Sequence, residues 1–296
     1  MIKKYLETFL EQFAFPAEAC LVLKQEFKKI QEDKNADQKF SQILHCYMEN
    51  MECDFTELLQ RMHELAKKTG IHEYTGNMLL LICLSEKLKE YYQEQQVDER
   101  IWYNSMLDLK WKLDECWCVY GIWGTFVPDW YAGFYQMNRF ALGRLQFETC
   151  ELDVAYEKDG MALRKGDTVI NVHIPRTGSR LDRESVSASY KKAAEFFRNR
   201  GLTESVVFVC HSWLLFPRNK EILDQKSNLY QFMEDFDIVQ SGEDQDYSEV
   251  WRLFDCNYQG DVDQLPQDTS LRRAYAEWIR KDEKIGWGYG IYVYRK

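Results

Sequence analysis

Two histidines, a thiol and a hydroxyl stand where one pattern of elements would gather them. His173 lies just before Pro175 at the end of the β-branched run 168–174, and Cys210-His211-Ser212 closes a second apolar run, 205–211. Imidazole titrates near neutrality and suits general acid–base work, while a thiol or hydroxyl beside it supplies a nucleophile or a proton. Adjacent strand residues alternate faces, so His211 points away from Cys210 and Ser212. The same residues also fit hydrogen-bonded core histidines and an inert thiol, and the sequence leaves both readings open.

A second candidate is the loop Pro175-Arg176-Thr177-Gly178-Ser179-Arg180-Leu181-Asp182. Gly178 permits a tight turn, and the unpaired N–H groups of the helix that follows offer an anion site for phosphate or pyrophosphate. Local charge agrees. Between 176 and 200, Arg176, Arg180, Arg183, Lys191, Lys192, Arg198 and Arg200 stand against Asp182, Glu184 and Glu195. An ordinary βα loop with a solvated basic helix face is the plainer alternative, since one glycine is a weak signal.

The elements that must position these residues follow from periodicity. A helix over 182–200, with Val186, Tyr190, Ala193, Ala194 and Phe197 on one face, connects the two apolar runs. Strand, helix and strand in that order form a βαβ crossover, whose parallel strands gather ligands at their carboxyl ends. Strand-like sequence also surrounds Phe140, Leu142, Leu145 and Phe147, and Glu157-Lys158-Asp159-Gly160 reads as a hairpin turn before a strand at 161–165. Further helices are expected at 217–223, 227–234, 247–254 and 269–282, the last capped by Thr269 or Ser270, with Arg272 and Arg273 placed to reach the basic segment. Strands are expected at 236–240 and 287–294, and glycines 286, 288 and 290 leave room for a close neighbour or a ligand. The acidic run 242–246 is the segment most prone to disorder. Upstream of Trp130 the period is helical throughout. Asp54 with Glu57 reads as a capping box for a helix ending at Gly70, and long helices follow at 75–95 and 98–118. Phe40, Ile43, Leu44, Tyr47, Met48 and Met51 form one apolar stripe. Trp102, Met106, Leu109, Leu113 and Trp117 form another, read as packing.

The fold class is therefore α+β: an all-helical bundle, 1–130, followed by a mixed α/β domain, 131–296, with a central twisted sheet. The 296 residues, 45 % hydrophobic and 29 % charged, suffice for two such cores. Net charge is −10, of which −7 falls before residue 131. That balance argues against nucleic acid or an anionic membrane as a default partner. The longest apolar run, Met78–Leu84, is too short to span a bilayer. The nine cysteines form no Cys-x-x-Cys pair and no leader precedes them, which points to free, mostly buried thiols in a cytoplasmic, reducing setting. Cys116-Trp117-Cys118 has the wrong spacing for a redox or zinc pair, and no His/Cys spacing suits a metal.

With these motifs, the chain resembles a family of bacterial acyltransferase-like proteins. They pair a helical N-acyltransferase N-terminal domain with a domain like the GCN5-related N-acetyltransferases, or GNATs. The resemblance spans nearly the whole chain. It rests on His173-Ile174-Pro175, Phe196-Phe197, Cys210-His211-Ser212-Trp213-Leu214-Leu215, Ser227-Asn228 with Phe232 and Phe236, and Leu265-Pro266 with Asp268-Thr269-Ser270-Leu271. The resemblance implies a GNAT-like fold that binds acetyl-CoA or another acyl-CoA between two splayed strands. In that superfamily the pyrophosphate sits on an Arg/Gln-x-x-Gly-x-Gly/Ala loop. Here Arg176, Thr177, Gly178, Ser179 and Arg180 occupy that place, with the glycine one position early and Leu181 at its end. By the resemblance, the backbone of Val172 to Ile174 pairs with the pantetheine arm. An amine of an unidentified acceptor attacks the thioester directly, with His211 or His173 as base and Ser212 as acid or orienting group. A variant makes Cys210 an acyl-accepting nucleophile, or the nucleophile of a thiol hydrolase. The rival expectation is a catalytically idle GNAT-like binding or scaffold module. Oligomeric state is not legible.

Overall fold

The structure, a computed structural model, describes residues 2–158, 160–202 and 206–295. Asp159, in the expected hairpin turn, and Ser205, at the expected start of the second strand, lie outside the described residues. The chain divides into two compact units, Met1–Phe140 and Ala141–Lys296.

The first unit holds six long helices: α1 (Ile2–Gln12), α2 (Ala17–Glu32), α3 (Lys34–Glu49), α4 (Phe55–Thr69), α5 (Glu73–Glu94) and α6 (Glu99–Tyr120). Their ends are set by local chemistry. Carboxylates of Asp33, Asp54 and Asp98 accept from the first-turn amides of α3, α4 and α6, which would otherwise lack partners. Gly70 and Gly121 stop α4 and α6 in the left-handed conformation that glycine enters without penalty. Helix α5 is the axis of this unit. Every residue from Thr75 to Ser85 is buried, and α1, α2, α3, α4 and α6 all pack on it. The apolar run Met78–Leu84 is thus wrapped by protein. Among the described residues no helix is long and apolar enough to cross a membrane.

Three details differ from the sequence reading. Met48 is 52 % exposed, because the buried stripe of α3 runs through Phe40, Ile43, Leu44 and Tyr47 and stops there. Trp117 is 41 % exposed and stacks face to face on Trp123 at 4.1 Å rather than filling the core. Residues 128–135 form two helical turns, Pro128–Tyr131 and α7 (Ala132–Tyr135), so strand structure begins only at β1 (Arg139–Ala141).

The second unit is built on a sheet containing β1, β2 (Gln146–Glu151), β5 (Thr168–His173), β6 (Val206–Ser212), β7 (Asp237–Asp244) and β8 (Ile285–Tyr294). Its order is β1-β2-β5-β6-β8-β7, and β3 (Tyr156–Lys158) pairs with β4 (Met161–Leu163) as a separate hairpin. Strands β5 and β6 are parallel, as the crossover through α8 (Arg183–Arg198) requires. The β2–β5, β6–β8 and β7–β8 pairs are antiparallel. Tyr190 of α8 packs on Phe147, Phe208 and Tyr292, covering one face. Leu152, Tyr156, Val169, Val207, Val209, Tyr289 and Ile291 form the core on the other. A third cluster joins α10 (Trp251–Phe254), α11 (Ser270–Arg280) and Ile285, and α9 (Asn228–Met233) precedes β7. The acidic run expected to be disordered is partly ordered by pairing: β7 continues to Asp244, and Gly242 lies opposite Trp287. The segment expected as a helix at 217–223 is a 3-10 turn, Pro217–Glu221.

The terminal glycines do leave room for a close neighbour, and the neighbour is the protein itself. A Cβ on Gly288 would stand 2.1 Å from the carbonyl oxygen of Leu215, and one on Gly286 would stand 2.3 Å from that of Gly242. Backbone cannot yield at that distance. Gly288→Ala is therefore expected to lower unfolding free energy by about 1–3 kcal/mol, read as a lower denaturation midpoint.

Candidate active site at the parting of two parallel strands

The β5–β6 ladder pairs Ile170 with Phe208 and Asn171 with Val209, and its register ends there. Both strands nevertheless continue, β5 to His173 along β2 and β6 to Ser212 along β8. The inner edges of Val172–His173 and Cys210–Ser212 therefore diverge. Each strand is held by its outer neighbour, so a wedge opens at the carboxyl end of the only parallel pair among the described pairings. Such a wedge can accept an extended, amide-bearing ligand as an added strand.

On the face opposite α8, β5 presents Asn171 and His173. His173 Nε2 lies 2.6 Å from Glu148 Oε1, and Asn171 Nδ2 lies 3.4 Å from the same oxygen. The pair is largely sheltered, with side chains 14 % and 18 % exposed. Glu148 is directly opposite Asn171 in the antiparallel register, which places its carboxylate beside the imidazole two residues on. A carboxylate so placed fixes ring orientation and stabilises an imidazolium. His211 differs. It is exposed, and its ring meets Trp287 edge to face at 4.6 Å.

The other strand-end residues have structural employment. Ser212 Oγ accepts from the Leu214 amide at 3.2 Å and caps the turn Trp213–Leu215. Asn219, buried below that turn, donates to the Trp213 and Leu214 carbonyls and accepts from Tyr275 Oη at 2.6 Å. Cys210 points to the α8 side and is fully buried, and burial pushes its thiol well above the ordinary range. A nucleophilic thiolate needs the opposite environment.

The loop after β5 closes on itself, with Thr177 Oγ1 2.8 Å from Ser179 Oγ and accepting from the Ser179 amide. Two expectations about it change. The start of α8 is occupied by the Asp182 carboxylate, which accepts from the Ser185 amide at 2.9 Å. That hydrogen bond and the neighbouring amides hold Asp182 below the usual carboxylate range. Arg176 is also committed: it pairs at 2.7 Å with Asp255, which Arg272 holds from the other side at 2.5 Å. So Arg272 does meet the basic segment, through a shared carboxylate. Arg273 instead donates to the carbonyls of Gln267 and Asp268. Arg180 is exposed and makes no ion pair among the described residues.

Two residues of this site carried no sequence signal. Glu148 reaches His173 only through the β2–β5 register. Arg144, in the turn before β2, donates from Nη1 to the Pro175 carbonyl at 3.0 Å and from Nε to that of Arg180 at 3.3 Å.

Comparison with known proteins fits this geometry. Residues 4–137 match the family described as the N-acyltransferase N-terminal domain, and residues 140–292 match the GNAT-like C-terminal domain. The chain belongs to this GNAT-like family. No curated protein matches. Among solved structures, a mutant acyltransferase in complex with octanoyl-CoA is 17 % identical, with a TM-score of 0.74 over 99 % of this chain and 88 % of that one. An acyltransferase in complex with decanoyl-CoA and teicoplanin is 18 % identical, with a TM-score of 0.63 over 97 % of this chain and 99 % of its own. At such identities the likeness extends to the fold of the GNAT-like chain. No group of three or more His, Cys, Asp or Glu side chains among the described residues is arranged to hold a metal ion.

All nine cysteines are free, three buried, five half-buried and Cys118 exposed, so fewer are sequestered than expected. Burial pushes the thiols of Cys116 and Cys150 up to about 12 and that of Cys210 higher. The folded chain keeps these protons where an unfolded chain would lose them. Stability should hold below about pH 8.5 and decline as pH rises beyond it. Iodoacetamide at pH 8 should label Cys118 within minutes and leave Cys210 unmodified until denaturant is added, as peptide mass mapping would show.

Proposed function

We propose that this protein is a CoA-dependent N-acyltransferase that moves an acyl group from acyl-CoA to an amine of a small-molecule acceptor. The observation that supports it most is the wedge after Asn171 and Val209, set at the carboxyl ends of parallel strands. The pantetheine arm carries amides spaced to pair with an exposed strand edge, and the Val172–Ile174 backbone is the edge we assign to it. The pyrophosphate is assigned to loop 176–180, with Thr177, Gly178, Ser179 and Arg180 contributing.

In this reading the amine nitrogen attacks the thioester carbonyl. The C–N bond forms, the C–S bond breaks, and the CoA thiolate leaves. His173, oriented by Glu148, takes the amine proton. His211 lines the same face and orients the acceptor, its ring backed by Trp287. The Ser212 hydroxyl, whose oxygen already accepts from Leu214, donates a hydrogen bond to the departing thiolate, and the proton taken by His173 is the one that the thiolate finally receives. We assign no covalent role to Cys210, given its burial. Donor length is read from the neighbours: their octanoyl-CoA and decanoyl-CoA complexes make medium-chain donors the first to compare with acetyl-CoA. Free cysteines support a reducing, cytoplasmic setting.

A second reading, a binding module without turnover, draws support from the Asp182 carboxylate on the helix start and from Arg176 held by Asp255. Both remove groups that a phosphate would use. Calorimetry with CoA, acetyl-CoA, octanoyl-CoA and decanoyl-CoA decides the first point. Micromolar binding of at least one is expected, and no heat from any at millimolar concentration would sink the proposal. Binding without product across a broad amine panel would favour the second reading. Once an acceptor is found, His173→Ala should lower kcat by about 100-fold or more, with Glu148→Gln lowering it less. An unchanged kcat in both removes His173 from the role.

A further inference from the structure

Arg144 is a half-buried cation with no carboxylate partner among the described residues. It makes no ion pair among the described residues; its Nη1 and Nε donors end on the carbonyls of Pro175 and Arg180, the two ends of the loop. Burial accordingly pulls its guanidinium below the ordinary arginine range, and the nearest carboxylate felt there, Asp182, is already engaged with the first turn of α8. Its position is built in. The Arg144 amide donates to Ser189 Oγ at 2.8 Å, and Ser189 donates onward to the Ser185 carbonyl within α8. Gly143 turns with φ +97°, and a Cβ there would stand 2.6 Å from Ser189 Oγ. The turn before β2 is thus pressed against α8 so that one side chain reaches under the loop.

A guanidinium partly withdrawn from water and held by carbonyl dipoles bears a desolvation cost, which an anion brought to the same place offsets. Resting on the function proposed above, we infer that Arg144 is the built-in counter-charge of a diphosphate site on loop 175–180. It holds the loop backbone at both ends and supplies the inner, half-buried positive charge, while exposed Arg180 supplies the outer one. This differs from a site made by the helix start, which Asp182 fills. It explains how a loop with its glycine out of place and Arg176 engaged elsewhere still receives a diphosphate.

The test compares wild type, Arg144→Lys and Arg144→Gln, each verified as folded by circular dichroism and thermal melting. They are titrated with CoA, with inorganic pyrophosphate and with decanoyl-pantetheine, which lacks the diphosphate. Arg144→Gln should weaken CoA and pyrophosphate by about tenfold or more and flatten the salt dependence of CoA binding. Arg144→Lys, which keeps the charge, should fall between, and decanoyl-pantetheine should bind all three alike. Equal CoA affinity in wild type and Arg144→Gln overturns the inference, as does an equal loss for CoA and decanoyl-pantetheine, which marks a purely structural role. Should wild type bind pyrophosphate but neither CoA nor decanoyl-pantetheine, the transferase reading falls while the anion site stands. Should Arg144→Gln not fold, Arg144→Lys alone decides: no change in either anion overturns the inference.

Discussion

The second unit depends on one early ending. Two parallel strands stop pairing after Asn171 and Val209 while each remains pinned to an antiparallel partner. A sheet normally closes such a gap, because unpaired backbone amides are costly away from water. Here the gap is maintained from both sides. On the β6 side, Leu215 presses its carbonyl on Gly288, and Asn219 ties the turn after Ser212 to Tyr275. On the β5 side, β2 keeps its register through His173. The wedge is thus a property of the scaffold and not of a loose end.

Charge is arranged around the wedge in two tiers. The outer tier is paired internally: Arg176 and Arg272 share Asp255, Arg183 holds Asp235, and Asp182 caps α8. These contacts are partly exposed, and their contribution is mainly to fix where segments lie. The inner tier is sheltered. It contains the His173–Glu148 pair, in hydrogen-bond contact, and Arg144, which makes no ion pair among the described residues. A protein with net charge −10 can therefore present a local site for an anionic cosubstrate without being attractive to polyanions overall.

Much of this was legible in the residues. The β-branched runs ending at His173 and His211, with an amphipathic helix between, dictate a right-handed crossover and hence adjacent strand ends. The helical half was legible from period and from the caps Asp54 and Gly70, which act within one turn of themselves; Asp33, Asp98 and Gly121 do the same but were not singled out. What escaped depends on register and distance. Glu148 meets His173 across 25 positions, and Arg144 meets Pro175 across 31. The Asp182 cap was written in the sequence, yet counting it as one of three acids against seven bases hid its place on the helix start. Trp117 has core spacing on α6, but tertiary packing left it outside. Residues 242–244 became strand because β8 supplied a partner that composition does not reveal.

The pair formed by that displaced tryptophan has an optical consequence. Trp117 and Trp123 lie nearly parallel and stacked, their ring centres 4.1 Å apart and their planes inclined by 6°. Two indoles at that separation couple their transition dipoles, and the coupling vanishes once the rings part. The helical unit therefore carries its own spectroscopic signature, an exciton feature in circular dichroism that follows the α6 terminus and the segment after it. Unfolding of that unit can then be followed through one local chromophore pair.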